Sequence, residues 1–280
     1  MRRLAWLALI LGALTAVGAE AQTLERIRDS GTFRIGYRED AAPYAHKDSF
    51  GEAVGYSVEL CRAVAAYAKE TLGLAELKLE YLPVTTEDRF QAVQDGRIDL
   101  LCGATTVTLA RRELVDFSLF TFIDGAGVLL RKDGPHDFEG LAGMKVGVRS
   151  ATTTEQALSN TLAQQGLQVE VVAVESHEDG LAQLRAGDIQ AYFADRAILI
   201  WLLLQSGDED LWLSERQFTY EPYALALPRG DADFRLVVDA ALSGLFRSGA
   251  IDRIFTAAFG ANATQSDMLK ALYVINAIPR

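Results

Sequence analysis

The residues best suited to ligand chemistry surround a threonine-rich segment in the first half of the chain. Thr105, Thr106 and Thr108 follow the apolar run 98–101 and offer hydroxyls and backbone N–H groups where a helix begins. Such a helix end has unpaired donors and a positive partial charge, which suits a carboxylate. Arg111 lies one turn inside the predicted helix and could donate two parallel hydrogen bonds to the same carboxylate. A threonine-capped helix with a solvated arginine explains these residues equally well.

Polar residues also occur at strand ends and helix starts in both halves of the chain. They are Arg38, Thr86, Arg89, Thr106, Arg111, Thr152, Thr153, His177 and Asp195. Two facing lobes would bring them into one cleft, where Arg111 with the threonines suits a carboxylate and Asp195 suits an ammonium. Together these groups would match the head of an α-amino acid. Arg38, Arg89 and His177 are further donors for a second carboxylate, although each arginine alone is more simply a surface charge.

Sequence patterns that indicate enzymes and metal sites are missing. The chain has no H-E-x-x-H, G-x-S-x-G or G-x-G-x-x-G motif and no phosphate-binding loop, and its three histidines are isolated. We therefore expect no catalytic residues, no metal and no cofactor. The net charge of −11 argues against nucleic acid or an anionic membrane as a partner. An anion site would have to be a local basic cluster.

The N-terminal segment has the pattern of a secretory signal peptide. Arg2 and Arg3 precede an apolar run over residues 4–18, and Ala19-Glu20-Ala21 supplies an A-x-A cleavage site. Cleavage there would start the mature chain at Gln22 and export it from the cytoplasm. A membrane anchor is the alternative, but the run is shorter than the about 20 residues that a span needs.

Export to an oxidising compartment makes the two cysteines candidates for a disulfide. Cys61 lies on an apolar helical stripe and Cys102 lies at the end of a predicted buried strand. A helix packed on that sheet could bring the two sulfurs together. Two inert buried thiols remain the alternative.

The order of predicted elements indicates two similar α/β lobes. Residues 90–100 resemble residues 181–191, since each segment contains a helix, a glycine stop and a strand. The extended runs 120–130 and 220–227 would form two hinge strands if they pair. We expect a signal peptide over residues 1–21. The first part of lobe 1 would follow over residues 22–128, and lobe 2 over residues 129–222. Residues 223–280 would then complete lobe 1 and form a C-terminal helical tail.

From about Leu24 to Pro279 the chain resembles the periplasmic solute-binding proteins of family 3, which serve polar amino-acid ABC transporters, and most of all their glutamate/aspartate-binding branch. The motifs that carry this resemblance are Gly36–Glu39 with Pro43-Tyr44, Gly55–Ser57, Val84–Arg89, Cys102–Thr106 with Arg111, Asp116–Ser118, Ser150–Thr153, Ser176-His177, Ala194-Asp195, Glu221–Tyr223 and Ser266–Leu272. It implies the type II periplasmic-binding-protein fold, in which two lobes, each a mixed sheet flanked by helices, are joined by two hinge strands.

The resemblance also implies a role for each candidate residue. The α-carboxylate would be held by Arg111, Thr106 and the amides of Thr152 and Thr153. The α-ammonium would be held by Asp195 and by groups near Ala104, where the branch usually has serine. The side-chain carboxylate would be received by Arg38, Arg89, Thr86 and His177. Since histidine titrates near neutral pH, His177 should strengthen binding of an acidic ligand as the pH falls towards 6.

The implied function is a monomeric binding protein, not an enzyme. It would close around glutamate or aspartate and deliver it to an ABC permease in the inner membrane. A broader binder of Glu, Gln, Asp and Asn is one alternative. A periplasmic dehydratase for prephenate or arogenate, with Asp195 as general acid, is another. A third is a sensory or partner-recruiting module.

Overall fold

The computed structural model describes residues 23–279, so the predicted signal peptide lies outside the described residues. The first part of the chain contains α1 (Thr23–Ser30), β1 (Thr32–Tyr37), β2 (Asp40–Ala41), β3 (Ala45–Lys47), β4 (Ala53–Val54), α2 (Tyr56–Thr71), β5 (Lys78–Pro83), α3 (Arg89–Gln94), β6 (Leu100–Cys102), α4 (Leu109–Arg112) and β7 (Asp116–Asp124). From β4 onwards strands and helices alternate in this part of the chain, as the sequence pattern predicts.

The chain continues through β8 (Ala126–Arg131), a 3-10 turn (Glu139–Leu141), β9 (Lys145–Arg149), α5 (Thr153–Gln165), β10 (Glu170–Val174), α6 (His177–Ala186), β11 (Ala191–Asp195), α7 (Arg196–Ser206) and β12 (Leu211–Leu213). It ends with β13 (Glu221–Leu227), α8 (Ala232–Ser248), α9 (Ala250–Phe259) and α10 (Asp267–Asn276). Within residues 23–279, no helix combines the length and apolar character that crossing a bilayer requires.

Two five-stranded mixed sheets form two lobes, which confirms the predicted fold class. The sheet of the first lobe has the order β5-β1-β6-β13-β7, and that of the second lobe has the order β10-β9-β11-β8-β12. In each sheet three neighbouring strands are parallel, namely β5, β1 and β6 in the first and β10, β9 and β11 in the second. Ligands of open α/β sheets bind beyond the carboxyl ends of such strands. A small antiparallel sheet, β2-β3-β4, belongs to the first lobe.

The lobes are connected where the sequence predicts hinge strands. β13 pairs antiparallel with β7, from Glu221 opposite Asp124 to Leu227 opposite Asp116. The extended run 120–130 is not one strand, because it breaks at Gly125 and its second part, β8, joins the other sheet. A Cβ atom on Gly125 would clash with the carbonyl oxygen of Thr219 on the return crossing. The exact lobe limits at residues 128 and 222 stay predictions.

Helix α2 packs against the first sheet through an apolar stripe at helical spacing. Val58, Cys61, Ala65 and Ala68 on this stripe are all buried. The stripe carries the sulfur of Cys61 to the end of β6, where it forms a disulfide with Cys102 at a Cα–Cα distance of 6.3 Å. The predicted disulfide is therefore present.

Candidate ligand-binding site

Predicted site residues from the two lobes meet at the interface between them. Thr106 Oγ1 lies 3.1 Å from Thr153 Oγ1 of the second lobe. Arg89 Nη2 donates to the carbonyl of Ala151 at 3.0 Å. These contacts cross the cleft, so the lobes are closed on each other in this structure. The elements that end at this cleft are those whose strand ends and helix starts the sequence singled out.

Arg89 is a buried cation without an anionic partner. Its residue is 2% exposed, and no carboxylate of residues 23–279 forms an ion pair with it. The guanidinium donates to the carbonyls of Thr86 and Ala151, while Nε has no hydrogen-bond partner among the described residues. Burial, followed by the charges of Arg111 and Arg38, lowers the pKa of Arg89 to about 9. Such an environment favours a bound anion.

Arg111 is a second cation at the interface, and it is not solvated as the alternative interpretation required. Its Nη1 donates to the carbonyl of Thr106 at 2.8 Å, and burial lowers its pKa. Phe90 packs against the guanidinium groups of both Arg111 and Arg89, at 5.2 and 4.8 Å from the ring centroid. The ring holds two like charges in place through cation–π contacts. Sequence reasoning missed Phe90.

The threonine-rich helix start is less of an anion site than the sequence predicts. α4 has only four residues, and the side chain of Thr108 caps it by accepting from the Arg111 amide at 3.1 Å. Thr152 likewise caps α5 by accepting from the Glu155 amide at 3.1 Å. Both hydroxyl oxygens are therefore used within their own helices, which leaves Thr106 and Thr153 as the threonine hydroxyls that meet across the cleft.

Arg38 and His177 form an interlobe pair. Nη2 of Arg38 lies 3.2 Å from Nε2 of His177, and Nδ1 of His177 lies 2.6 Å from the hydroxyl of Tyr192. Because a guanidinium only donates, Nε2 accepts and the proton lies on Nδ1. Burial, together with the charge of Arg38, lowers the pKa of His177 to about 3. The imidazole is therefore neutral at pH 6, contrary to the titration expected from the sequence.

Asp195 belongs to a buried acidic cluster formed with Asp124 and Glu221. Oδ1 of Asp195 is buried and has no hydrogen-bond partner in the described part of the chain. Burial, and then the charges of Asp124 and Glu221, raise the pKa of Asp195 well above its usual range. An ammonium group would supply both the donor and the positive charge that this carboxylate lacks.

Asp124 stands at the hinge and links the two lobes. Its Oδ2 accepts from the hydroxyl of Tyr44 at 2.8 Å and from the amide of Ala197 in the second lobe at 3.2 Å. Burial raises the pKa of Asp124 to about 6. Glu221 accepts from the hydroxyls of Thr153 and Thr219, at 2.9 and 2.7 Å. Sequence reasoning assigned no role to either acid, although both flank the predicted hinge.

The remaining candidates have local partners. The hydroxyl of Thr86 donates to Oε1 of Glu87 at 2.7 Å, and Thr86 is 2% exposed. Ala104 is half-buried and packs against the hydrophobic core. Two charged residues that the sequence did not single out, Asp40 and Arg149, form an ion pair at 3.3 Å across the cleft. Each lies next to the end of a strand, which is the signal that found the other candidates.

The cleft has buried arginines in the first lobe and, in the second lobe, a carboxylate oxygen that has no hydrogen-bond partner among the described residues. This arrangement fits a ligand that carries both negative and positive groups. Arg111 and Thr106 could hold one carboxylate, and Arg89 with Arg38 could hold another. Asp195 could accept hydrogen bonds from an ammonium. No group of three or more His, Cys, Asp or Glu side chains in residues 23–279 is arranged to hold a metal ion.

Comparison with known proteins identifies the family. Over 251 residues the chain is 30% identical to the L-glutamate/L-aspartate-binding protein of Pseudomonas aeruginosa, a match that covers 89% of this chain and 83% of that protein. It is 28% identical to the glutamate/aspartate import solute-binding protein of Escherichia coli, with 92% and 89% of the two chains covered. The structure is similar to that of an ancestral amino acid-binding protein that preceded cyclohexadienyl dehydratase. In that case the TM-score is 0.74 and the identity 27%, over 85% of this chain and 99% of the other.

An ancestral arginine-binding protein bound to glutamine is also similar, with a TM-score of 0.72 and 28% identity over 82% of this chain and 98% of the other. Residues 33–261 match the profile of a single family and include every candidate site residue. The chain belongs to the bacterial extracellular solute-binding proteins, family 3.

Proposed function

We propose that this protein binds glutamate or aspartate between its lobes in the periplasm and delivers it to the permease of an ABC importer. The single observation that carries the proposal is the unpaired charge on the two sides of one cleft. Within residues 23–279, Arg89 is a buried guanidinium that forms no ion pair with a carboxylate, and Asp195 has a buried oxygen that accepts no hydrogen bond. The names of the relatives in Pseudomonas aeruginosa and Escherichia coli support the same ligand class.

In the proposed complex, each charged group of the ligand has its own partners. The α-carboxylate accepts from Arg111, from the hydroxyl of Thr106 and from the backbone amides of Thr152 and Thr153. The α-ammonium donates to Asp195. The side-chain carboxylate accepts from Arg89 and from Arg38, which His177 positions.

Hydrogen bonds to charged groups contribute about 1.5–3 kcal/mol each. Several such bonds outweigh the entropy that is lost when the ligand and the lobes become ordered. They therefore suffice for a micromolar Kd, which corresponds to a binding free energy of about −8 kcal/mol. The ligand would stabilise the closed arrangement by adding contacts from the second lobe to those it makes with the first. The permease would then recognise the closed form of a monomeric protein.

Export by cleavage after Ala21 is part of the same proposal. N-terminal sequencing of protein from a periplasmic fraction should begin at Gln22. A mature N-terminus at Met1 in the membrane fraction would instead indicate an anchor.

A calorimetric titration of the purified mature protein with each of the twenty L-amino acids tests the ligand. We expect glutamate or aspartate to bind with a Kd of about 1 μM or below. Lysine and arginine should not bind, because the cation cluster repels them. Binding of neutral or basic amino acids without any acidic one would overturn the proposal.

One observation favours a second candidate, a dehydratase of the prephenate or arogenate type. A structural neighbour is described as a precursor of cyclohexadienyl dehydratase, and the raised pKa of Asp195 is a property of general acids. Incubation with prephenate or arogenate, followed by absorbance of the aromatic product, separates the two functions. We expect no turnover.

A further inference from the structure

An ion pair that has no place in the proposed ligand contacts joins the lobes beside Arg38. Asp40, on β2 of the first lobe, lies 3.3 Å from Nε of Arg149, at the end of β9 in the second lobe. Arg149 is 9% exposed, and the side chain of Asp40 is 16% exposed. A nearly buried ion pair across a cleft that must open is unusual, because both charges lose their hydration when the lobes close.

Asp40 also engages the arginine that we assign to the ligand's side chain. Its Oδ1 accepts from Nε of Arg38 at 2.9 Å and lies 2.7 Å from Nη2. The chain thus supplies its own carboxylate to two of the guanidinium groups at this end of the cleft. A ligand carboxylate bound there competes with Asp40 for donors and is repelled by its charge.

The contact between Asp40 and Arg149 is close but poorly aligned. Oδ2 of Asp40 and Nε of Arg149 have no hydrogen-bond partner among the described residues. Arg149 is held from the other side, because its Nη1 donates to the carbonyl of Val174 at 3.0 Å. Both groups therefore retain hydrogen-bonding capacity that faces the cleft.

The charged and titratable groups around Asp40 keep it ionised. Burial alone would raise its pKa, but the charge of Arg38, the charge of Arg149 and the hydrogen bond from Arg38 outweigh burial, and the pKa lies below its usual range. At this end of the cleft Arg38, Arg89 and Arg149 contribute three positive charges, Asp40 and Glu87 contribute two negative charges, and His177 is neutral. The subsite therefore has a net charge of about plus one.

We propose that Asp40 is a specificity-determining residue that limits the preference of this cleft for acidic over amide side chains. It does so by occupying donors of Arg38 and by subtracting one charge from a subsite that also includes Arg149. A ligand carboxylate responds to that charge and a ligand amide hardly does. Asp40 therefore reduces the difference between the affinity for glutamate and the affinity for glutamine. This inference rests on the proposed function.

The test is the ratio of the Kd for glutamine to the Kd for glutamate in calorimetric titrations. Asp40→Asn keeps an oxygen that can accept from Arg38 but removes the charge, so the ratio should rise at least about tenfold. Loss of the interlobe contact weakens both ligands alike and cancels in the ratio. Asp208→Asn is the matched control, since Asp208 is also 16% exposed and pairs with Arg185 within one lobe. It should leave the ratio unchanged.

A second variant keeps the test decisive if Asp40→Asn does not fold. Arg149→Gln removes one positive charge, so the ratio should fall at least about tenfold. In the double variant Asp40→Asn/Arg149→Gln the net charge equals that of the wild type, and the ratio should return to within about threefold of it.

The possible results separate the two proposals. If the wild type binds glutamate and neither single variant changes the ratio, the role of Asp40 is refuted while the proposed function stands. If the wild type binds no acidic amino acid, the proposed function fails and the inference fails with it. Opposite shifts in the two single variants support both.

Discussion

Replacing Arg89 with methionine tests whether the buried cations exist to hold an anion. Methionine has no charge, and its flexible apolar side chain replaces much of the volume of arginine, although it is shorter. Lowering the pKa of Arg89 from its usual value to about 9 corresponds to about 5 kcal/mol of unfavourable interactions of the charged form, at about 1.4 kcal/mol per pKa unit. The substitution removes this cost.

The same substitution also removes the hydrogen bonds of Arg89 to the carbonyls of Thr86 and Ala151. Bonds of this kind contribute about 1.5–3 kcal/mol each, so the two effects nearly cancel. We expect the free energy of unfolding to stay within about 2 kcal/mol of the wild-type value. Most substitutions of a fully buried side chain of this size are more destabilising than that.

Ligand binding should respond very differently. Removing one partner of a buried ion pair costs about 3–5 kcal/mol, so the Kd for glutamate should rise at least about 10²-fold. Glutamine offers an amide oxygen, and its hydrogen bond from the guanidinium contributes about 1.5–3 kcal/mol, so its Kd should rise less than that of glutamate, by about 10- to 10²-fold. Urea unfolding and calorimetric titration with both amino acids measure the two quantities.

Arg97→Met is the control, because Arg97 is an exposed arginine paired with Asp88 outside the cleft. It should change neither affinity. The reasoning is refuted if Arg89→Met keeps the wild-type affinity for glutamate and loses more than about 3 kcal/mol of stability. Arg89 would then be a structural residue whose hydrogen bonds matter more than its charge.

Three further predictions follow from the disulfide, the hinge and the acidic cluster. Replacing Cys61 and Cys102 with alanine opens a 41-residue loop, which should lower the free energy of unfolding in urea by about 4 kcal/mol and leave the affinity for glutamate unchanged. Gly125→Ala should weaken glutamate binding in calorimetry, because the new methyl group clashes with the second crossing, whereas Gly134→Ala, where nothing lies closer than 3.5 Å, should not. Glutamate affinity should fall as the pH falls through about 6, because Asp124, whose pKa burial raises to about 6, belongs to the acidic cluster that the ammonium needs ionised, and burial also raises the pKa of Asp195. An affinity that does not change between pH 5 and 7 would contradict this dependence.

Hydrophobic periodicity and the glycine stops predicted the two lobes and made the disulfide one of two alternatives for the cysteines. The apolar stripe around Cys61 and the strand ending at Cys102 each have a clear pattern, and packing a helix on a sheet leaves few ways to join them. The break at Gly125 was not predictable, because its cause is the close approach of Thr219, 94 residues later. Local patterns report local conformation, and a hinge is made by contacts between distant segments.

The candidate site was predictable in position but not in pairing. Strand ends and helix starts indicated Arg38 and Arg89, which contact the second lobe, and their roles towards a ligand stay predictions. The sequence could not show that Asp40 accepts from Arg38, or that Phe90 packs under two guanidinium groups. Which charges pair across the cleft depends on how the lobes close, and no spacing within one lobe carries that information.

The dependence of binding on pH could not be predicted from the residue types alone. An isolated histidine near a predicted carboxylate suggests affinity that rises towards pH 6. In the structure, His177 lies between Arg38 and the hydroxyl of Tyr192, so its burial and its cationic neighbour keep it neutral. The group that titrates near pH 6 is Asp124, at the opposite end of the cleft, where burial stabilises its protonated form. An ammonium binds only the ionised form of a carboxylic acid, so lowering the pH weakens the binding of glutamate instead of strengthening it. The direction of this pH effect is set by the burial of the titrating group and not by its residue type.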